Sequence, residues 1–211
     1  ATDAKRVRVR TTLLAADGRG YVRLLRHDAA RRVMLQEQLG PALAQLRLPI
    51  RDQIDVICKT LQQAWIAVPD DLQLLTGSEK ARNLAESIAT AWEELDRPCD
   101  ERAVACALAF AEARSRAFDP ATSVLVHGDA HSQNTLQIAD ADPADHSAFK
   151  FVDPDGMRAE PALDLAAVMR DWSAELLAGD PLALGRARCE YLSRLTGIAT
   201  EPIWQWGFME R

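Results

Sequence analysis

Two short apolar runs in the second half of the chain each lead into an acidic side chain. The segment 124–134 reads VLVHGDAHSQN, so that Asp129 follows the first run and Asn134 comes five residues later. The segment 149–156 reads FKFVDPDG and places Asp153 after the second run. We expect these two carboxylates and one amide to converge at the ends of short strands, an arrangement typical of phosphoryl transfer.

The chemistry explains these residue types. Mg²⁺, which neutralises nucleotide phosphates, prefers oxygen ligands and is usually held by one or two protein groups together with phosphate and water. Asn134 and Asp153 fit that role. A further carboxylate must orient the acceptor hydroxyl and accept its proton, and Asp129 is the candidate. Because such sites act through positioning and electrostatics, no nucleophilic residue is expected.

These motifs resemble the aminoglycoside phosphotransferase family within the protein-kinase-like superfamily. Asp129 and Asn134 keep the spacing of the kinase catalytic loop. Gly128 stands where protein kinases have Arg, and His131 follows the Asp by two positions, as is frequent in the antibiotic kinases. The features most similar to the streptomycin 6-kinase and hydroxyurea-resistance branch are Asp153-Pro154-Asp155-Gly156, Glu160 and Asp164-Leu165-Ala166.

The resemblance implies a role for each matching residue. Asp129 would be the catalytic base, and Asn134 and Asp153 would bind magnesium. Asp164 would brace the catalytic loop, and His127 would support that loop without reacting. Two roles stay open for His131: contact with a phosphate, as made by the Lys of protein kinases at this position, or a solvent-facing place in the loop.

The resemblance also implies a fold class, which is α+β with the two lobes of a protein kinase. Residues 1–40 would form a truncated N-terminal sheet lobe that ends in the hinge, and residues 41–211 a mainly helical catalytic lobe. Around Gln36 and Gln38, hinge backbone would bond the adenine edge of ATP.

Periodicity predicts the elements around the motifs. Strands are expected over 20–25 and 33–39, and the segment 139–147 reads as a hairpin turn. Apolar residues at helical spacing predict a helix from Ile50 to about Trp65 and another that Ser78 could cap. An Ala-rich helix over about 99–118 and two or three helices after Pro161 follow.

The start of the chain departs from the family pattern. A complete lobe has about five strands, a phosphate-covering loop, a strand Lys and a helix Glu. Here Gly18-Arg19-Gly20 resembles the turn after the family's first helix, and the basic run 5–10 reads as a solvated helix face. The first strands are therefore expected to be missing. Whether the protein lacks them or they lie outside this sequence is left open.

Composition and net charge bear on the compartment of the protein and on the class of its partner. The chain has 211 residues, a formal charge of −6 and four scattered cysteines. This favours a cytoplasmic protein with reduced cysteines. The negative charge disfavours nucleic acid as a partner and is compatible with a cationic one, and no apolar run is long enough to span a membrane. That the partner is a small molecule is what the resemblance implies.

The expected function is ATP- and Mg²⁺-dependent phosphorylation of a hydroxyl on a small molecule, with an aminoglycoside such as streptomycin as the favoured acceptor. Two alternatives stand beside it. One is a kinase-like remnant that binds a nucleotide or ligand without turnover. The other is a metallophosphoesterase that uses His127, Asp129, His131 and Asn134 as metal ligands.

Overall fold

The computed structural model describes residues 3–69, 71–142 and 145–211. Contacts between Cα atoms divide the chain into two compact units. Unit 1 comprises Ala1–Leu74 and Val124–Met157, and unit 2 comprises Leu75–Ser123 and Arg158–Arg211. Both candidate loops lie in unit 1. The lobe boundary at residue 40 stays a prediction.

Unit 1 combines helices with two small sheets. Its elements, in chain order, are α1 (Asp3–Ala16), β1 (Leu24–Asp28), β2 (Val33–Gln36), β3 (Leu39–Ala42), a 3₁₀ turn (Leu43–Gln45), α2 (Ile50–Ala64), β5 (Val124–Val126), β6 (Thr135–Ile138) and β7 (Phe149–Phe151).

The strands of the two sheets β1-β2 and β3-β6-β7 are antiparallel and follow the predicted hairpins in part. β1 pairs with β2, with Asp28 opposite Val33 across the turn. β6 lies between β3 and β7, so the strands on either side of the predicted turn over 139–147 are paired. Residues 143 and 144 of that segment lie outside the described residues. The sequence pattern did not predict β6, the strand that begins directly after Asn134. Strand pairing therefore places the end of one candidate loop beside the strand that leads into the other.

The core of unit 1 lies beneath these strands. Helix α2 begins after Pro49, as predicted, and its inward face buries Ile57 and Leu61. Phe149 and Phe151 are the first and last residues of β7, and both are fully buried. Burial of large side chains of this kind contributes about 1.5–3 kcal/mol each. The strand that leads into the second candidate loop, β7, is thus packed in the core.

Unit 2 contains short strands and six helices within the described residues. In chain order these are β4 (Leu75–Thr76), α3 (Gly77–Glu94), α4 (Glu101–Ala117), α5 (Ala162–Arg170), α6 (Ser173–Leu176), α7 (Pro181–Thr196) and α8 (Thr200–Met209). A further strand, β8 (Met157–Ala159), spans the point where the chain passes from unit 1 to unit 2.

The helix start near Ser78 differs from the prediction. Thr76 is the N-cap of α3, because its hydroxyl accepts from the Glu79 amide while the Glu79 carboxylate accepts from the Thr76 amide. This capping box satisfies two amides that a helix start leaves exposed. Ser78 instead shares a hydrogen bond with Ser115 on α4.

Among the described residues, no helix is long and apolar enough to cross a bilayer.

All four cysteines are free. Cys58 and Cys189 are buried, Cys106 is partly buried and Cys99 is exposed. Two of the four cysteines are therefore core residues. Burial raises the pKa of the Cys58 and Cys189 thiols to about 12.

Thiol labelling near pH 8 should distinguish these cysteines. The thiolate is the reactive form, so raised pKa and burial together protect Cys58 and Cys189. We expect an alkylating reagent to modify Cys99 first and the two buried thiols only after denaturation, as read by peptide mass spectrometry. Rapid modification of Cys58 in folded protein would contradict this packing.

Candidate active site

The imidazole of His127 joins the two candidate loops. His127 is fully buried just after β5, and its Nε2 lies 2.9 Å from the carbonyl oxygen of Val152. The Asp129 amide donates to its Nδ1 over 3.1 Å. The ring stacks parallel to Tyr21 and meets Phe151 edge-on. One side chain thus bonds the backbone on either side of the site.

These bonds fix the protonation pattern of the ring. An amide can only donate, so Nδ1 must be the accepting nitrogen, and Nε2 must then carry the proton that it donates to Val152. With both nitrogens of His127 engaged, neither has a lone pair directed to a metal ion. This geometry argues against the metallophosphoesterase alternative, which needs His127 as a ligand.

The loop after β5 holds Asp129 from two sides. The side-chain amide of Asn134 donates to the backbone carbonyl of Asp129 over 3.1 Å. His131 Nε2 lies 3.3 Å from the Asp129 carboxylate oxygen Oδ2, and His131 Nδ1 accepts from the Gln133 amide. His131 thus contacts the acidic side chain itself, and its two expected roles stay predictions. The Asp129 side chain remains 39% exposed and can be reached from solution.

Gly128 gives this loop its turn. Its φ of 86° lies in the left-handed region, which side chains with a Cβ rarely adopt. A Cβ there would lie 2.1 Å from Met157 Cε and 3.1 Å from Asp155 Cβ. The chain thus needs glycine at this position for its conformation and for the close approach of the second loop.

The second loop follows β7 and presents Asp153 to solvent. Asp153 has a φ of 50°, which Asp tolerates better than most residues, and its side chain is 64% exposed. The amides of Asp155 and Gly156 both donate to the carbonyl of His127, and the Val152 amide donates to the carbonyl of Asn134. Backbone bonds therefore connect both sides of the loop to the Asp129 segment.

Helix α1 meets the second loop, which corrects the expectation of a solvated basic face. Lys5 Nζ lies 3.0 Å from Asp155 Oδ1 and 3.8 Å from Asp153 Oδ2. Arg8 Nε donates to the Asp155 carbonyl. The sequence pattern could not show this, because charge alternation along a helix does not reveal what lies opposite it.

The pKa of Lys5 is raised above its usual value, chiefly by its hydrogen bond to Asp155. Burial opposes the shift, and the charges of Asp155, Asp153 and Asp129 reinforce it. Lys5 is therefore a stable ammonium group at neutral pH. All three carboxylates thus act on the charge of Lys5.

The donor groups present suit a hard cation. Asp153 and Asp155 offer carboxylate oxygens, and the amide nitrogen of Asn134 is used by the loop, which leaves the amide oxygen as its available ligand atom. Oxygen donors of this kind match the preference of Mg²⁺. The ammonium of Lys5 against the same carboxylates shows that this loop attracts positive charge.

The two predicted hinge residues lie at and after the end of β2. Gln36 ends β2 opposite Leu24, and Gln38 is exposed between β2 and β3. The backbone between them is held by Glu37, whose amide donates to the Arg23 carbonyl and whose side chain pairs with Lys150. The adenine contact of Gln36 and Gln38 stays a prediction.

Within unit 2, several acidic groups have structural partners. Glu160 accepts from Trp206 Nε1 over 2.9 Å and pairs with Arg114. Glu175 pairs with the buried Arg188. Asp164 is buried in the first turn of α5, and its bracing role stays a prediction.

A solved structure has the same fold. It is a macrolide 2'-phosphotransferase type I, with a TM-score of 0.50, 15% sequence identity, and an alignment that covers 98% of this chain and 71% of the other. The likeness confirms the predicted α+β, protein-kinase-like fold class. The chain therefore has the fold of the protein-kinase-like class.

The family is shown by the sequence. A model of the family described as aminoglycoside/hydroxyurea antibiotic resistance kinase matches residues 2–209, and the chain belongs to this family. It is thus a phosphotransferase of the antibiotic-resistance kinases, which act on hydroxyl groups. Such kinases use ATP and a divalent metal ion. No curated protein sequence matches the chain closely.

Substitution of Gly128 by Ala should destabilise unit 1. The change adds both a conformational cost at positive φ and a close contact with Met157. Gly197 is the matched control, since it has a similar φ of 77° but nothing within 4 Å of an added Cβ. We expect Gly197→Ala to cost about 1 kcal/mol and Gly128→Ala clearly more. Chemical denaturation measures both, and equal losses would show that the contact is unimportant.

Proposed function

We propose that this kinase phosphorylates a hydroxyl group of a small cationic antibiotic, with an aminoglycoside such as streptomycin as the acceptor, ATP as the phosphoryl donor and Mg²⁺ as the metal ion. The supporting observation is the joining of two acidic loops by His127, which brings Asp129, Asn134 and Asp153 into one connected backbone network. Family membership supports the reaction class.

Asp129 is the proposed catalytic base. Its carboxylate is accessible, and the Nε2 proton of His131 is directed at one oxygen, Oδ2. The other oxygen can then accept the proton of an incoming hydroxyl. The acceptor oxygen forms a bond to the γ-phosphorus of ATP, the bond from that phosphorus to the bridging oxygen breaks, ADP leaves, and the hydroxyl proton passes to Asp129.

Asn134 and Asp153 are the proposed magnesium ligands. When bound, the ion would neutralise the charge of the phosphates as the reaction proceeds. Asn134 also holds the Asp129 carbonyl, so one side chain connects the proposed metal site to the proposed base. His127 supports both loops from beneath, and Asp164 is retained as a proposed brace of the catalytic loop.

The acceptor class is inferred from family and charge. The net charge of −6 favours the approach of cations over nucleic acid. The charges of three carboxylates act on the ammonium of Lys5, so the acidic groups of the site attract cations. A polyamine antibiotic suits such surroundings better than a neutral or anionic acceptor.

An acceptor panel tests this proposal. Protein is incubated with ATP, Mg²⁺ and streptomycin, other aminoglycosides, a macrolide or hydroxyurea, and acceptor-dependent ADP release is measured together with the mass of the acceptor. We expect release and gain of one phosphoryl group with an aminoglycoside. Release with the macrolide alone would overturn the acceptor class, and no release with any acceptor from folded protein would favour the non-catalytic alternative.

Two amide substitutions separate the proposed roles. Asp129→Asn removes the base, so turnover should fall by about 10²- to 10⁴-fold while nucleotide affinity is retained. Asp153→Asn should mainly weaken Mg²⁺-dependent nucleotide binding, as measured by calorimetry. The control is Asp140→Asn, which makes the same change at an exposed aspartate whose φ of 63° is similar to that of Asp153. Small and equal effects at positions 129 and 153 would contradict the assignment.

A further inference from the structure

One face of helix α1 is built against the loop that carries Asp153. Lys5, Arg8 and Thr12 are spaced three and four residues apart and therefore share a face of the helix. Lys5 and Arg8 bond to Asp155, and Gly156 approaches so closely that a Cβ there would lie 2.3 Å from Thr12 Oγ1 and 3.1 Å from the Arg8 carbonyl. Three successive contacts hold Lys5 in place.

The ammonium of Lys5 lies at the position where a free cation would bind. It lies 3.0 Å from the Asp155 carboxylate and 3.8 Å from that of Asp153, and Asp129 also acts on its charge. Only 33% of the Lys5 side chain is exposed, so solvent screens these interactions incompletely. The loop is thus partly neutralised before any metal ion arrives.

This charge has opposite effects on two forms of the metal. A bare divalent cation is repelled by the ammonium and must compete with it for the carboxylates. A metal ion carried by ATP arrives as a complex with net negative charge, whose phosphate oxygens attract an ammonium group. The sign of the effect therefore depends on what accompanies the metal ion.

We propose that Lys5 is a specificity-determining residue, whose ammonium is the resident counter-ion of Asp153 and Asp155 and makes the site favour metal–nucleotide complex over bare divalent cation. This rests on the proposed function, because it takes Asp153 to be a metal ligand. Arg8 and Thr12 are positioning residues that keep α1 against the loop.

Binding measurements on the whole chain test this without turnover or acceptor. Free Mn²⁺ is titrated alone and followed by electron paramagnetic resonance, and Mg²⁺ with a non-hydrolysable ATP analogue is titrated by calorimetry. For Lys5→Met we expect Mn²⁺ alone to bind about three- to tenfold more tightly and the nucleotide complex to bind more weakly by a similar factor. Lys5→Arg, which keeps the charge, should preserve both affinities.

The matched control is Lys59→Met, the same change at an exposed lysine of α2 that faces Asp145. It should leave both affinities unchanged. Mn²⁺ binding that is unchanged or weaker in Lys5→Met, or a shift of both ligands in the same direction, would overturn the proposal. If these opposite shifts occur but the acceptor panel yields no ADP, the binding preference stands and the proposed reaction fails.

Discussion

The arrangement of the acidic residues depends on the hydrogen bonds of one buried residue, His127. Its two ring nitrogens bond to the Val152 carbonyl and the Asp129 amide, and its backbone carbonyl accepts from the Asp155 and Gly156 amides. A buried polar group is tolerated only when it is hydrogen-bonded, and here each bond fixes a peptide next to an acidic residue. Positioning of the acids is therefore a consequence of core packing.

Such support matters because phosphoryl transfer relies on preorganised charge. Groups that must rotate into place lose much of the benefit of electrostatic stabilisation. In unit 1 the strands β5 and β7 are short, but they end in buried residues such as Val126 and Phe151. Helix α1 adds a second support from the outer side of the loop. The exposed carboxylates thus rest on backbone that is held from two directions.

Unit 2 shows why the free charges of a protein cannot be counted from its sequence. Glu160 is bonded to Trp206 and Arg114, and Glu175 to Arg188. Arg188 is itself buried and also donates to the Asp171 carbonyl. These acids stabilise helix packing within unit 2, so their charge is largely neutralised inside the unit.

The residues alone predict the features of this protein that depend on local order along the chain. Helical periodicity located α2, apolar runs located β5 and β7, and the spacing from Asp129 to Asn134 identified the family that the comparison confirms. These predictions succeed because hydrogen bonding and side-chain direction repeat over a few residues, and because the motif is contiguous.

Which distant residues meet is settled by the packing of the folded chain. Lys5 and Asp153 lie near opposite ends of unit 1 in the sequence, and no local rule reveals that an ion pair joins them. His131 likewise contacts Asp129 because the loop folds back on itself, and strand β6 forms because β3 and β7 offer it partners on both sides. Long-range contacts depend on how elements pack, which periodicity within one segment does not encode.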